Sequence, residues 1–497
     1  MNKRELKSVG YLALVERFDL KVIPHYRASF VASRGQRSEE MKNGIEMVIY
    51  PKGYLPKDTL IGHLTFALKY DGINLEILSA IFNACSLIEL RQNILKSRSS
   101  KYIRKIWYLY DCLMAIPLPI PPTDKGNYID LVDSEKYFTC KAIKSAKHRI
   151  NDNLLGYRNF SPVARRTKII KDFLAKDFKS KIEEIITQYP ENIVNQANEY
   201  QFIKEIGASF EIGDEPLILN RKERFSHTLQ QRDFFKTINK EKIIDLQKML
   251  LDKRFVKTGY RITESYVGEN LGAHRSSVRY IGVTPSEVSS CLSGLFECMN
   301  RMEISEVDSI VQAAVVAFGF ILIRPFEDGN GRIHHFLLHY ILSCTGYIPS
   351  KMVFPISSVI LKDVNKYNAS LQQFSEKLIS LLEFEMKKNG KIVVQNNNAL
   401  HYQYFDATKM VEYIFEVIEE TIKADFIKEL DFVDAYCKAK SSIQDVVDIP
   451  DSLINLIIKE CLERNYKSPK TKKEKLYKDI ADGDIRLILN IINKNFK

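Results

Sequence analysis

Two strongly apolar segments follow one another near the middle of the chain, Ile310–Ile323 and Ile333–Tyr347, and only the nine residues "RPFEDGNGR" separate them. The first run falls short of the ~18–20 unbroken apolar residues of a membrane span, and it carries Gln312. Pro325 cannot continue a helix. Gly329, Asn330 and Gly331 let the backbone turn tightly, and Arg332 opens the next apolar run. The pattern predicts a buried helix over 306–323, a glycine turn, and a second buried helix beyond Arg332.

The remaining composition sets few limits. The chain has 497 residues, 45% hydrophobic and 27% charged, a globular balance with length for two to four domains. The N-terminus "MNKRELKSVGYLALVERFDL" has charges on both sides of a very short apolar run and does not resemble a secretory signal. Cys85, Cys112, Cys140, Cys291, Cys298, Cys344, Cys437 and Cys461 form no CxxC pair and no metal spacing with histidine. Reduced thiols, a cytoplasmic protein and no membrane partner are expected, with delivery to a host cytosol as the alternative location. The net charge of +11 admits nucleic acid, acidic lipid or an acidic partner. Acids interleave with most of the lysines, so a solvated surface is the plainer reading. The densest cluster is "KSPKTKKEKLYK" at 467–478.

Four regions are expected. Residues 1–127 begin mixed and turn helical, closing on "IPLPIPPTDKGN", a run too rich in Pro and Gly for a helix or a central strand. Residues 128–239 read as helical, with one helix from Pro190 to near Gly213. Residues 240–390 hold the paired apolar helices, and "SVRYIGV" (277–283) is the best short strand. Residues 391–497 are helical again, with i, i+3, i+4 apolar spacing in "DATKMVEYIFEVIEETI" and "IPDSLINLIIKECLERN". The fold class is mainly α.

The turn has a chemistry of its own. Successive backbone N–H groups pointing into one concavity, beside the positive end of a helix, form an anion site suited to a diphosphate. Asp328 is suited to a Mg²⁺ ion bridging phosphate oxygens. Arg332 adds a fixed positive fork. The structural alternative is an ordinary Asn-Gly connection between helices.

Phe326, Asp328, Gly329, Asn330, Gly331 and Arg332 resemble the signature of the Fic (Fido) family, HxFx[D/E]GNGRxxR. "GYLALVERFDLKVIPHYRASF", "RRTKIIKDFL", "YFDATKMVEYI" and "DIPDSLINLIIK" are also similar to a bacterial branch of about this length. The resemblance implies a helical core with a short β flap, and transfer of AMP from ATP to a hydroxyl side chain of a target protein. It implies nucleotide contacts from Phe326, Gly329, Asn330, Gly331, Arg332 and His335, Mg²⁺ on Asp328, and a catalytic site that includes Asn330. The strand around Val278, Arg279, Tyr280 and Ile281 would be the flap, which takes a target segment as an added strand.

Three departures from the family pattern go together. Arg324 stands where the family has its histidine base, and a guanidinium stays protonated and cannot accept the hydroxyl proton. Losing a general base removes a factor of typically ~10²–10⁴. His335 stands where the family has its last arginine, which reaches the terminal phosphate and pairs with an inhibitory glutamate. In the segment matching the inhibitory (S/T)xxxE(G/N) motif, Ser209 is in place and Gly213 occupies the glutamate position, with Glu211 and Asp214 beside it. A glutamate–arginine lock needs both partners, and both are missing. His274, His334, His335 and His339 are the histidines near enough in sequence to be weighed as substitute bases.

Three readings stay open: a nucleotide-binding protein with weak or no AMP transfer, an active transferase with altered chemistry or donor, and a non-catalytic scaffold for protein or nucleic acid. Trp107 in "IRKIWYLYD" reads as core. The Arg165–Arg166 pair and the basic run from Arg91 to Lys105 could touch nucleic acid, although no recognised nucleic-acid motif accompanies them.

Overall fold

The computed structural model describes residues 6–123, 126–198, 238–251, 259–270, 276–348, 354–387, 390–463 and 480–496. The architecture is mainly α, with four small sheets among the described residues.

The first region folds around a four-stranded sheet ordered Leu6–Val9, Arg27–Ala32, Ile45–Tyr50, Ser38–Lys42. Its middle pair is parallel and its outer pairs antiparallel. Val9, Val31, Val48 and Tyr50 point to one face and bury against Phe66. Helices Leu75–Ala84 and Lys101–Leu113 build the adjoining core, in which Trp107 is fully buried. The helix Leu75–Ala84 starts where Asn74 accepts a hydrogen bond from the Ile77 N–H at 2.9 Å, an N-cap that answers one of the helix's free donors.

Residues 128–167 correct the expectation of helix. They form a three-stranded sheet, Ile129–Asp130, Ile150–Asp152, Ile143–Ser145, and turns, and helix begins only at Lys168. The backbone groups here are answered by side chains instead of by a helical ladder. Asn153 exchanges two hydrogen bonds with the Val132 backbone at 3.0 and 2.9 Å. The buried Arg301 guanidinium donates to the carbonyls of Asp152 and Gly156 at 2.8 and 2.7 Å and pairs with the Asp152 carboxylate at 3.3 Å. Such fixed, charge-assisted bonds hold an irregular segment that local propensity does not specify.

The main core runs from Phe138 to Val433 and has helix Ser309–Ile323 at its centre. Every residue from Ile310 to Ile323 is buried, as a helix apolar on all sides must be. This helix starts three residues later than the expected 306. Glu306 takes a left-handed backbone (φ 56°), and the Asp308 carboxylate accepts from the Ile310 and Val311 N–H groups at 3.0 and 3.1 Å. Helices Asn330–Cys344, Val288–Ile304 and Thr408–Glu420 pack against it. A hairpin of Phe384–Met386 with Ile392–Val394, which no sequence signal announces, lies beyond helix Val364–Ile379. The C-terminal helices Ile427–Gln444, Asp451–Glu463 and Asp482–Phe496 share a separate apolar cluster including Ala439, Ile458 and Ile488. Among the described residues no helix is long and apolar enough to cross a membrane.

Candidate phosphate-binding turn and its flap

The turn between the two central helices is built residue by residue. Helix Ser309–Ile323 stops at Arg324, whose left-handed backbone (φ 49°, ψ 64°) reverses the chain while its N–H still donates to the Phe320 carbonyl at 3.0 Å. A non-glycine residue in that conformation is uncommon and needs support from its surroundings. Arg261 supplies it. Its guanidinium donates to the Arg324 carbonyl at 2.6 Å, to Ile323 at 3.2 Å, to Thr263 at 2.9 Å and also to Val283, and its own N–H donates to the Pro325 carbonyl at 2.9 Å. One buried cation thus ties the helix end, the turn and the segment that follows the flap.

Pro325 and Phe326 then lead inward. Phe326 is fully buried against Phe320 and Tyr260. Asn330 staples the turn: its Oδ1 accepts from the Phe326 N–H and its Nδ2 donates to the Phe326 carbonyl. The Asp328 Oδ1 accepts from the Gly329 N–H at 2.6 Å and lies 3.6 Å from the Arg332 guanidinium. Gly329 has φ +87°, a conformation that favours glycine, and a β-carbon there would stand 3.2 Å from the Leu251 side chain, a tight contact. Gly331, in the first turn of helix Asn330–Cys344, has no atom within 4 Å of where a β-carbon would sit. The turn is therefore open at Gly331, at the positive end of the helix.

Helix Lys240–Leu250 braces the inner side. The Gln247 amide donates to the Asp328 carbonyl at 3.1 Å, and the Leu250 carbonyl accepts from Arg332 at 2.8 Å. Arg332 is 3% exposed. The resemblance assigns it to phosphates, but its guanidinium is engaged with protein groups here.

The hairpin Tyr266–Asn270 with Ser276–Ile281 stands beside the turn, antiparallel, with a register shift at Val267/Gly268. Tyr280 donates to the Leu322 carbonyl, and the Ile281 carbonyl accepts from Tyr402 at 2.5 Å. Ile281 is buried, Val278 partly buried and Arg279 exposed, so only part of the expected flap faces outward. The Arg324 side chain lies under this hairpin, partly buried, with its Nε donating to Ser265 Oγ at 3.1 Å. Burial lowers its guanidinium below the ordinary arginine value, while Tyr280, Tyr367 and Asp328 act in the opposite direction.

The two histidines after the turn are buried and paired with protein groups. His334 pairs through Nδ1 with the Ala317 carbonyl at 2.8 Å, and burial pushes it down to about 4. His335 is 2% exposed and pairs through Nδ1 with Ser357 Oγ at 3.2 Å. Burial, then the nearby His334 and His339, hold it well below the usual histidine range. His335, expected from the resemblance to contact nucleotide, is buried in the core and engaged with Ser357 in this packing. Ser209, Gly213, Glu211, Asp214 and His274 lie outside the described residues.

The structure brings Arg324, Phe326, Asp328, Gly329, Asn330, Gly331 and Arg332 into one turn with Tyr280 and Ile281 beside it. Sequence reasoning missed Arg261, Ser265, Gln247 and Leu250. Arg261 sits in "GYRITES", which has no periodic pattern, and nothing local marks it as a clamp.

Residues 237–342 match the Fic/DOC family, so the chain contains a Fic/DOC domain there. "Protein adenylyltransferase fic-1" of Caenorhabditis elegans is 30% identical over 98 residues, 20% of this chain and 17% of that protein. The protein of the same name from Caenorhabditis briggsae is 29% identical over 98 residues, again 20% and 17%. The chain spans about a sixth of the length of these curated relatives. Among solved structures, a Fic family protein from Desulfovibrio desulfuricans G20 aligns with a TM-score of 0.39 at 15% identity, over 64% of this chain and 95% of that one. A Fic domain containing signaling protein from Bacteroides thetaiotaomicron VPI-5482 gives 0.37 at 15% identity, over 53% and 97%. These scores are too low for the solved structures to define the fold.

Proposed function

We propose that the Fic/DOC domain binds ATP through its phosphates at the Pro325–Gly331 turn and transfers AMP weakly or not at all. The observation that carries this reading is Arg324: a guanidinium stands at the family's base position, held by its own backbone to Arg261 and by its Nε to Ser265. It cannot accept a proton from an attacking hydroxyl.

The turn offers what a nucleotide's phosphates require. Gly331 leaves the start of helix Asn330–Cys344 uncovered, and its N–H groups can meet phosphate oxygens directly. Asp328 fits Mg²⁺, which is commonly held by one or two carboxylates together with substrate phosphates. Its side chain is 43% exposed, with Oδ1 engaged within the turn. When bound, the ion would neutralise phosphate charge. Arg324 would add a fixed positive charge under the flap, which favours binding without supplying a base. His334 and His335 are poor substitutes, being buried, paired with protein groups and hard to protonate. The flap's backbone suits a target protein segment laid alongside as an extra strand.

The test pairs the protein with Arg324→His. Both are incubated with α-labelled ATP and Mg²⁺, and nucleotide binding is measured separately by equilibrium dialysis. The protein is expected to bind ATP without labelling itself, and Arg324→His to gain self-labelling. Failure of both to bind at millimolar ATP would overturn the reading. Labelling by the unsubstituted protein that disappears in Asp328→Ala would favour the alternative, a transferase using Arg324 to stabilise negative charge. The partly buried placement of Arg324 against Ser265 is the observation on that side.

A further inference from the structure

Away from the glycine turn, the first region and the segments 131–137 and 165–171 enclose a cleft of about 510 Å³. Nine Lys and Arg side chains line it against three carboxylates. Four of the cations are already paired: Arg27 with Glu46 at 2.9 Å, Arg165 with Asp406 at 3.1 Å, Lys136 with Asp133 at 3.7 Å, and Arg37 with Glu39. The other five, Lys69, Lys101, Lys105, Arg166 and Lys171, have no carboxylate partner among the described residues. An uncompensated concentration of like charge in a concave site destabilises the chain by self-repulsion and focuses a positive potential.

Two of the five are held in place. Arg166 donates to the Tyr137 carbonyl at 3.3 Å and lies over the Phe138 ring at 4.1 Å. Lys105 is partly buried and donates to the Leu131 carbonyl at 2.8 Å. Burial and then the neighbouring Lys101 charge push its ammonium down to about 8, although Asp130 and Asp133 act in the opposite direction, so an arriving anion would relieve an existing cost. Tyr26, Tyr70 and Tyr102 also line the cleft and are partly buried; the Arg165 guanidinium lies 3.7 Å over the Tyr26 ring, so Tyr70 and Tyr102 are the two left for a base. Cations that meet phosphates, next to aromatic faces that meet bases, are the combination that holds nucleotide units without reading their sequence. The volume lies in the ~300–1,000 Å³ range of small-ligand sites.

We infer that this cleft is a second binding site, separate from the glycine turn, for a phosphate-bearing nucleotide unit, supplied either as a free nucleotide or within a single strand. The cations contact the phosphates and the tyrosines stack on the base. The site does not depend on the activity proposed for the Fic/DOC domain.

The test titrates a fluorescent short oligothymidylate into the full chain by anisotropy, with dTMP as competitor. Three proteins are compared: unsubstituted, Lys101→Gln/Lys105→Gln/Arg166→Gln, and Lys428→Gln/Lys438→Gln/Lys494→Gln, which carries the same charge change on exposed residues outside the cleft. The cleft variant is expected to weaken binding at least tenfold and the control less than twofold, with affinity falling as salt rises. Should the cleft variant fold poorly by thermal melting, Lys69→Glu/Lys171→Glu, at two exposed positions, replaces it with the same expected loss. Displacement by dTMP identifies a free nucleotide as the source, and resistance to it identifies a strand. Equal losses in the cleft and control variants would overturn the inference, as would no binding of either probe. A phosphopeptide binding more tightly than the oligonucleotide, with the same sensitivity to the cleft variant, would overturn it too, because the tyrosines would then not be stacking on bases.

Discussion

Asn330 satisfies both backbone hydrogen-bonding groups of Phe326, accepting from its N–H at 3.0 Å and donating to its carbonyl at 2.7 Å. Both bonds are buried, so an Asn330→Ala change strands a donor and an acceptor away from water. The expected cost is about 2–4 kcal/mol, since a buried unsatisfied group costs roughly 1–3 kcal/mol. Urea unfolding of the two proteins measures it. A loss below about 0.5 kcal/mol, the usual scatter of surface substitutions, would mean the staple contributes little to the fold.

Gly329 and Gly331 are two residues apart and should respond oppositely to alanine. Gly329→Ala places a β-carbon at φ +87° and 3.2 Å from Leu251, and should lower stability by about 1–2 kcal/mol. Gly331→Ala meets no atom and sits in a helix, so it should raise stability by about 0.5–1 kcal/mol. If phosphates approach at Gly331, the same alanine should weaken ATP binding while the melting temperature rises. A Gly331→Ala protein that is more stable and binds ATP unchanged would place the phosphates elsewhere.

Arg261 holds carbonyls from Thr263, Val283, Ile323 and Arg324 with a single side chain. Arg261→Ala should cost roughly 3–5 kcal/mol, since hydrogen bonds to charged groups contribute ~1.5–3 kcal/mol each and are not fully additive. Arg261→Lys should recover only part of this, because an ammonium lacks the planar fork. Complete recovery by lysine in a thermal melt would show that charge alone, and not the fork, secures the turn.

Asp71 provides a pH signature in the first region. It is 1% exposed, accepts from Ser29 Oγ at 2.5 Å and from the Tyr11 N–H at 3.2 Å, and burial pushes its carboxyl up from 3.8 to about 7. The folded state therefore holds the proton more tightly than the unfolded state. Its stabilising contribution is complete below the unfolded value and is lost as pH rises through the folded one. Relative to Asp71→Asn, the protein should lose about 2–4 kcal/mol between pH ~4 and pH ~7.5, at ~1.4 kcal/mol for each pH unit separating the two values. Denaturant unfolding at several pH values reads the difference directly, and a gap that stays constant with pH would contradict it.

The glycine turn and its two helices were legible without a structure. Their signals are local: unbroken apolar runs, a proline stop, glycines where the chain must turn, and a residue string that resembles a known signature. Even there, the helix starts at Ser309 and not at the expected 306, because the Asp308 cap fixes its first turn. The strands at 129–152 were not legible, since residues such as Asn153 and the distant Arg301 answer their backbone groups.

Local sequence was enough to specify that a glycine turn joins two buried helices and that the residue before it is an arginine, which cannot act as a base. What that turn can reach was settled by long-range packing. Arg332 is committed to the Leu250 carbonyl, His335 to Ser357, and Arg324 to Ser265 and, through its carbonyl, to Arg261. The same packing brought Lys69, Lys105 and Arg166 to one cleft. Turn and helix preferences act over a few neighbouring residues, whereas the contacts that commit Arg332, His335 and Arg324 join groups 22 to 82 positions apart, and packing of the whole core is what sets their distances.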